Sequence, residues 1–232
     1  SFTKVTFKAE ELLGLMKPGV QHHLTYGWVK LKQGKMSSRS GNVVLGEWLL
    51  DEAKKSIYEI MDTSASPLKA GPLKGSEKEL IAETAAIAAV KYAFLKVGTN
   101  QEIAFDLKES ISFDGDSGPY LLYTYARCMS VLRKASERSA KNQSLALKSM
   151  NPQERSIARR IGQFPEVVAD AATRFAPNTL CTYLFHLAQE FNVFYAKPPI
   201  LGEPQRLTLT VATSQVLKNG LYLLGIPIVE RM

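Results

Sequence analysis

The sequence predicts a mainly α-helical protein whose second half is a helical bundle. Apolar residues recur there at intervals of three and four, which places them on one face of a helix. Pro152 and Pro177 stand where helices can begin, because proline fits the first turn. Gly225, followed by Pro227, marks the end of the last predicted helix.

The bundle is predicted to begin after a turn at residues 115–119, where glycine, aspartate and proline cluster. A first helix follows Pro119, and three more are expected at about 152–172, 177–195 and 206–224. These helices account for most of the second half.

The first half is predicted to mix strands and helices. Residues 5–7, 28–31 and 103–107 alternate apolar and polar side chains, which indicates brief strands.

Two longer helices lie between the later strands. Apolar residues recur at helical spacing from Leu45 to about residue 61, and prolines and glycines in 64–75 predict a connector. Ser76 and Glu79 form a possible capping box for a helix that ends near Val97.

Charge and cysteine content narrow the class of protein. The chain has 232 residues and a net charge of +7, and the segment 127–160 holds nine cations against two acids. Such a segment is either a solvated helix face or a track for a phosphate backbone, and charge alone favours neither.

Two distant cysteines exclude a disulfide framework and a cysteine zinc site, and they suit a reducing cytosol. Glu83 and Lys91 interrupt the most apolar run, so no membrane span is expected.

Residues 34–42, GKMSSRSGN, combine glycines, serine hydroxyls and two cations. This inventory suits a polyphosphate, which needs preorganised donors and positive charge. The GxxxxGK[ST] pattern of a Walker A loop is absent. On composition alone, a surface turn is the better explanation.

The same loop resembles the KMSKS loop of class I aminoacyl-tRNA synthetases. Farther along, SFDGDSGPYLLYTYAR resembles the arginyl-tRNA synthetase pattern FxGxTGPYLQYAxAR, which stands at the entrance to the anticodon-binding domain. Further segments similar to that family, in the same order along the chain, are residues 20–22, 103–106, 191–195 and 224–232.

The resemblance implies a class I arginine–tRNA ligase, which activates arginine with ATP and transfers it to tRNA(Arg). It implies the C-terminal portion of a Rossmann-type catalytic domain in residues 1–114, with the loop and connecting helices. Residues 115–232 would form the α-helical anticodon-binding domain. ATP would arrive with Mg²⁺, and no metal would be held by protein ligands. We further expect a cytoplasmic monomer with no membrane association.

On the ATP side, the resemblance assigns catalytic roles to Lys35 and Arg39. The second lysine of the family loop falls at Ser38, so Arg39 would supply the missing charge, although a guanidinium is not equivalent to an ammonium. The implied ATP-binding residues are Gln21, His22, Lys35, Met36, Ser37 and Ser38.

On the tRNA side, Tyr120, Tyr123 and Arg127 match the family pattern and share one helix face. Packing of that face into the bundle explains the two tyrosines equally well. Phe191, Tyr195 and Met232 match positions that approach the anticodon in the family, where two rings and a thioether could stack on bases. A core stripe is a competing explanation for Phe191 and Phe194, which makes Tyr195 the preferred base contact.

No HIGH-type motif of a class I synthetase is present in the sequence. We therefore expect the C-terminal part of a longer enzyme, which alone neither forms adenylate nor charges tRNA. The alternatives are another class I ligase, a non-catalytic tRNA-binding module and a basic helical adaptor with no RNA role.

Overall fold

The structure is a computed structural model that describes residues 2–32, 45–63, 75–137, 149–197 and 199–232. Eight helices and two short strands make up these ranges, so the predicted mainly α fold is confirmed. In chain order they are α1 (Phe2–Leu12), β1 (Val29–Leu31), α2 (Gly46–Asp62), α3 (Gly75–Leu95), β2 (Ile103–Phe105), α4 (Leu107–Ser110), α5 (Gly118–Glu137), α6 (Pro152–Thr173), α7 (Pro177–Ala196) and α8 (Pro204–Leu223).

The two strands pair in parallel, with Val29 opposite Ile103 and Leu31 opposite Phe105. The strands predicted at these places are confirmed, although β2 ends at Phe105. It ends there because the Asp106 side chain caps α4 by accepting a hydrogen bond from the backbone N–H of Glu109 at 3.2 Å.

The strand predicted at residues 5–7 is wrong, because these residues lie within α1. Three alternating residues are too few to distinguish a strand from a helix. The longer run Phe2, Val5, Ala9 and Leu12 has the spacing of one helix face, and it decides the outcome.

Helices α2 and α3 pack against each other beside the sheet. Helix α2 buries Leu49, Ala53 and Ile57, the residues that carry its predicted periodicity. Helix α3 buries six alanines, whose small side chains let neighbouring helices approach closely. Because α3 begins at Gly75, Ser76 lies in the first turn rather than at the predicted N-cap.

Helices α5 to α8 form the predicted bundle. A capping box starts α6: Asn151 Oδ1 accepts from the Glu154 N–H, and the Asn151 N–H donates to Glu154 Oε2, each at 2.9 Å. Helix α8 ends at Leu223, and Gly225 just beyond it has a φ of +65°, which allows the Ile226 N–H to bond the carbonyl of Leu221. The predicted glycine stop is confirmed.

Helix α3 joins the bundle through its buried face. The Tyr92 hydroxyl lies 2.6 Å from Asp116 Oδ1 and 3.1 Å from the carbonyl oxygen of Cys181 in α7. Burial, followed by the hydrogen bond to Asp116, raises the pKa of Tyr92, so its phenol stays protonated. Lys91 donates to the carbonyl of Gly225 at the end of α8. One buried cluster therefore runs from α2 and α3 into the bundle.

Candidate nucleic-acid interface

The predicted ATP-side loop lies outside the described residues. The five loop residues with predicted roles are all affected: Lys35, Met36, Ser37, Ser38 and Arg39. Their roles remain predictions from the sequence.

Gln21 and His22 lie in the segment that leads to β1. The Gln21 amide donates to Glu10 Oε2 at 2.6 Å, which ties the segment to α1. The His22 ring lies 5.2 Å from the ring of Phe175, at the turn between α6 and α7. These contacts fix the segment and leave the proposed ATP contacts of both residues untested.

The predicted tRNA-side residues of α5 meet the end of α7. The guanidinium carbon of Arg127 lies 4.5 Å from the ring centroid of Tyr123 and 4.9 Å from that of Tyr195. Its Nη2 also donates to the Tyr123 hydroxyl at 2.8 Å. A cation in contact with two tyrosine rings is stabilised by their quadrupoles. Tyr123, Arg127 and Tyr195 together are called here the tyrosine–arginine face.

Of the three residues predicted beyond α5, Tyr195 has a ring open to solvent. Its exposed fraction is 42%, compared with 0% for Phe191 and 6% for Met232. Phe191 lies behind Tyr195, with the two ring centroids 6.4 Å apart in a stacked arrangement. Phe191 thus supports the Tyr195 ring from the core, and Met232 packs within the same core. In this conformation neither presents a surface to a base.

Asn192 adjoins the tyrosine–arginine face and was not assigned a role from the sequence. Its Oδ1 accepts a hydrogen bond from Arg127 Nη1, and its Nδ2 donates to the Tyr120 hydroxyl at 2.9 Å and to Thr124 Oγ1 at 3.0 Å. The available signal was a lone amide between the apolar residues Phe191, Val193 and Phe194. Its partners on α5 could not be read from the sequence.

Some cations of segment 127–160 bond to other parts of the bundle, and others are exposed to solvent. Arg160 forms an ion pair with Glu190 at 2.5 Å, and Arg133 donates to the carbonyl of Glu230 at 3.0 Å. The remaining described members of the set, apart from Arg127, are exposed: Lys134, Arg155 and Arg159. These exposed charges are suited to interaction with phosphates.

A family profile described as the DALR anticodon binding domain matches residues 121–232. The arginine–tRNA ligase of Fusobacterium nucleatum is 37% identical over 235 residues, covering 99% of this chain and 40% of that protein. The corresponding protein of Bdellovibrio bacteriovorus is also 37% identical, with the same coverage. Among solved structures, Thermus thermophilus arginyl-tRNA synthetase matches 91% of this chain and 35% of its own, at 34% identity and a TM-score of 0.76.

Residues 121–232 thus match the anticodon-binding domain family, and the whole chain is similar to the C-terminal part of arginine–tRNA ligases. The chain spans about 40% of the length of the curated relatives and corresponds to their C-terminal part. Within this family assignment, the helical bundle is the anticodon-binding domain, and the profile match begins inside α5. The predicted division after residue 114 remains a prediction.

The two cysteine thiols lie in the core of the protein. Cys128 and Cys181 are buried free thiols, and burial raises the pKa of both, that of Cys181 to about 12. Both are therefore protonated and unreactive at neutral pH.

Within the described ranges, no helix is long and apolar enough to cross a membrane. The same ranges contain no group of three metal-ligating side chains.

Proposed function

We propose that this chain is the tRNA-binding part of an arginine–tRNA ligase, and that its tyrosine–arginine face contacts the anticodon loop of tRNA(Arg). The observation that carries the proposal is the half-open ring of Tyr195, which lies against the Arg127 guanidinium in a domain of the anticodon-binding family. Single-stranded bases are bound by stacking on aromatic rings and guanidinium planes. Both kinds of surface meet here.

The complete enzyme would activate arginine with ATP and pass the arginyl group to the terminal ribose of the tRNA. In that reaction, Lys35 and Arg39 would hold the ATP phosphates, assisted by Met36, Ser37 and Ser38. Gln21 and His22 would lie at the nucleotide side. Mg²⁺ would enter with ATP. The support for these roles is the similarity to arginine–tRNA ligases.

The exposed cations would serve a different purpose from the tyrosine–arginine face. Lys134, Arg155 and Arg159 would contact phosphates, which increases affinity for any RNA and makes it depend on salt. Stacking on Tyr195 would distinguish an open loop from a duplex. We also infer that the protein acts in the cytoplasm, with which its two free thiols are consistent, and that it is a monomer.

The test compares Tyr195→Ala with Tyr222→Ala in filter binding to a tRNA(Arg) transcript. Tyr222 is a matched control because it is a tyrosine of the same bundle, on α8, and is 81% exposed. Removing a stacking ring costs about 1–3 kcal/mol per base, so Tyr195→Ala is expected to weaken binding by about 5- to 150-fold. Tyr222→Ala should leave the affinity within about twofold of the unmodified chain.

The proposal is wrong if Tyr195→Ala binds tRNA(Arg) as tightly as Tyr222→Ala does. A second measurement uses a tRNA(Arg) transcript with its anticodon bases replaced. The unmodified chain should bind this transcript more weakly than the natural one. The Tyr195→Ala variant should bind both transcripts with the same affinity.

A further inference from the structure

We infer that Asn192 is a positioning residue for the proposed anticodon contact, because its amide holds Arg127 against the rings of Tyr123 and Tyr195. The inference rests on the proposed function and extends it to a residue that does not itself stack on RNA. It concerns how the tyrosine–arginine face is kept in one arrangement before a ligand binds.

The orientation of the Asn192 amide is fixed by its partners. A guanidinium has only donors, so the group facing Arg127 must be the amide oxygen. The amide nitrogen then points to the hydroxyls of Tyr120 and Thr124, both of which can accept. Thr124 Oγ1 in turn donates to the Tyr120 carbonyl at 2.9 Å, so that hydroxyl is left to accept from the amide. The three hydrogen bonds that Asn192 makes all join α7 to α5.

The bonds made by Asn192 and Tyr123 fix the guanidinium of Arg127. Nη1 donates to Asn192 and Nη2 to the Tyr123 hydroxyl, so both ends of the planar group are held. A guanidinium has five N–H donors, and within the described residues these two bonds engage two of them. The other three donate no hydrogen bond to the described residues. A planar donor held in place loses less conformational entropy on binding than a mobile one.

Arg127 then supports the exposed ring. Tyr195 contacts Phe191 within its own helix and the Arg127 guanidinium on α5, so two neighbours restrict the ring. Without the amide, the Arg127 side chain could swing away from α7, and Tyr195 would lose its contact with α5. Asn192 therefore acts on RNA binding through Arg127, and this dependence can be measured.

A purely structural role would give a different result. The same three bonds also join α5 to α7, and their loss would lower the stability of the bundle in any case. A structural defect would weaken RNA binding to the same extent whether or not residue 127 is arginine. A positioning role requires Arg127 to be present.

The experiment is a double-mutant cycle on RNA affinity, made from Asn192→Leu and Arg127→Met. The probe is a fluorescently labelled anticodon stem-loop of tRNA(Arg), and the reference is a hairpin of equal length with a scrambled loop. We expect Asn192→Leu to weaken stem-loop binding about tenfold in the unmodified chain, which corresponds to about 1.4 kcal/mol. In the Arg127→Met background, the same change should alter affinity by less than about twofold.

The conservative variant Asn192→Asp provides the rescue. A carboxylate keeps the acceptor for Arg127 and can accept from the Tyr120 hydroxyl, which is able to reverse its bond, whereas the Thr124 proton stays with the Tyr120 carbonyl. Its affinity for the stem-loop should stay within about threefold of the unmodified chain. If Asn192→Leu fails to fold, Thr124→Val takes its place in the cycle, because it removes one anchor of the amide. The expected loss is then about threefold, again only where Arg127 is present.

Several results would overturn the inference: unchanged affinity of Asn192→Leu, the same fold loss in both backgrounds, or a loss for Asn192→Asp as large as that for Asn192→Leu. If Thr124→Val is used, equal losses in the two backgrounds have the same meaning. An unmodified chain that binds both hairpins equally would refute the proposed function itself. Clear preference for the anticodon stem-loop, with Asn192 variants that match the unmodified chain, would refute only the positioning role.

Discussion

The bundle and the N-terminal helix differ in how they cover apolar side chains. In the bundle, Leu184, Phe191 and Phe194 have no exposed surface. Helix α1 buries none of its residues against the described remainder of the chain, and Phe2 and Leu12 are 87% and 77% exposed. The bundle therefore has a closed core, which it shares with α2 and α3, whereas α1 is an amphipathic helix with its apolar face open.

The region around the two strands is intermediate. An apolar cavity of about 640 Å³ lies beside the sheet, with Leu49 of α2, Phe94 of α3 and Phe105 of β2 among its lining residues. Helices α2 and α3 still bury their facing sides. Apolar burial thus increases along the chain from α1 to the bundle, and the stability of the molecule should depend mainly on residues after Gly75.

The largest expected difference in the free energy of unfolding is between a Phe→Ala substitution in the bundle and the same substitution in α1. Phe194→Ala should lower the free energy of unfolding by about 3–5 kcal/mol, because it removes a fully buried ring and leaves a cavity. Phe2→Ala should change it by less than about 0.5 kcal/mol, because that ring is already in solvent. Urea denaturation followed by circular dichroism measures both. Equal losses for the two variants would show that α1 is buried in solution and would remove the contrast.

A smaller effect is expected where α3 meets the bundle. A Cβ on Gly118 would lie 2.2 Å from the carbonyl oxygen of Ala88, which belongs to the backbone and cannot rotate away. Gly118→Ala should therefore destabilise the protein by about 1–3 kcal/mol. Gly162, inside α6, has no atom within 4 Å of a Cβ, so Gly162→Ala should stabilise it by about 0.5–1 kcal/mol.

The midpoint of thermal unfolding gives the sign of each change at Gly118 and Gly162. A neutral Gly118→Ala would mean that α3 and α5 can separate at little cost. The bundle would then behave as a unit independent of the first region.

Another modest effect concerns a charge inside the bundle. Burial alone would raise the pKa of Glu154, but the hydrogen bonds from Arg206 and the Asn151 N–H outweigh it, and the pKa lies below the ordinary 4.5. The ionised carboxylate therefore contributes stability above about pH 4.5, and this contribution is lost as the pH falls through the lowered pKa. Glu154→Gln should cost about 1–2 kcal/mol at neutral pH and should flatten the acid side of the stability profile.

The control for this change is Asp170→Asn. Asp170 pairs with Arg174 at 3.2 Å on the surface, where an ion pair is worth about 0–1 kcal/mol. Denaturation curves collected between neutral and acidic pH should separate the two variants. A profile for Glu154→Gln that runs parallel to that of the unmodified chain would contradict the assignment.

Sequence patterns predicted the bundle well because its signals are local. Proline at Pro177 and glycine at Gly225 fix helix ends through backbone geometry, and apolar spacing identifies the buried faces. The strand predicted at residues 5–7 failed because an exposed helix and a short strand leave the same brief alternation.

The candidate site was predicted only in part. Tyr195 and Arg127 were placed on its surface by resemblance, but the burial of Phe191 and Met232 depends on which helices pack over them. The link between Asn192 and Arg127 joins residues 65 positions apart, and no helical or strand period relates such positions. Spacing within one helix identifies the face that a residue occupies, whereas its partner on another helix requires the tertiary structure.

The most direct test of the central claim is photocrosslinking of the chain to tRNA(Arg) that carries thiouridine in the anticodon loop. Peptides joined to the RNA would be identified by mass spectrometry. Contact at the tyrosine–arginine face predicts crosslinks in α5 near Tyr123 and in α7 near Tyr195. Crosslinks confined to α1 and α2, with none in α5 or α7 while the tRNA is bound, would contradict it.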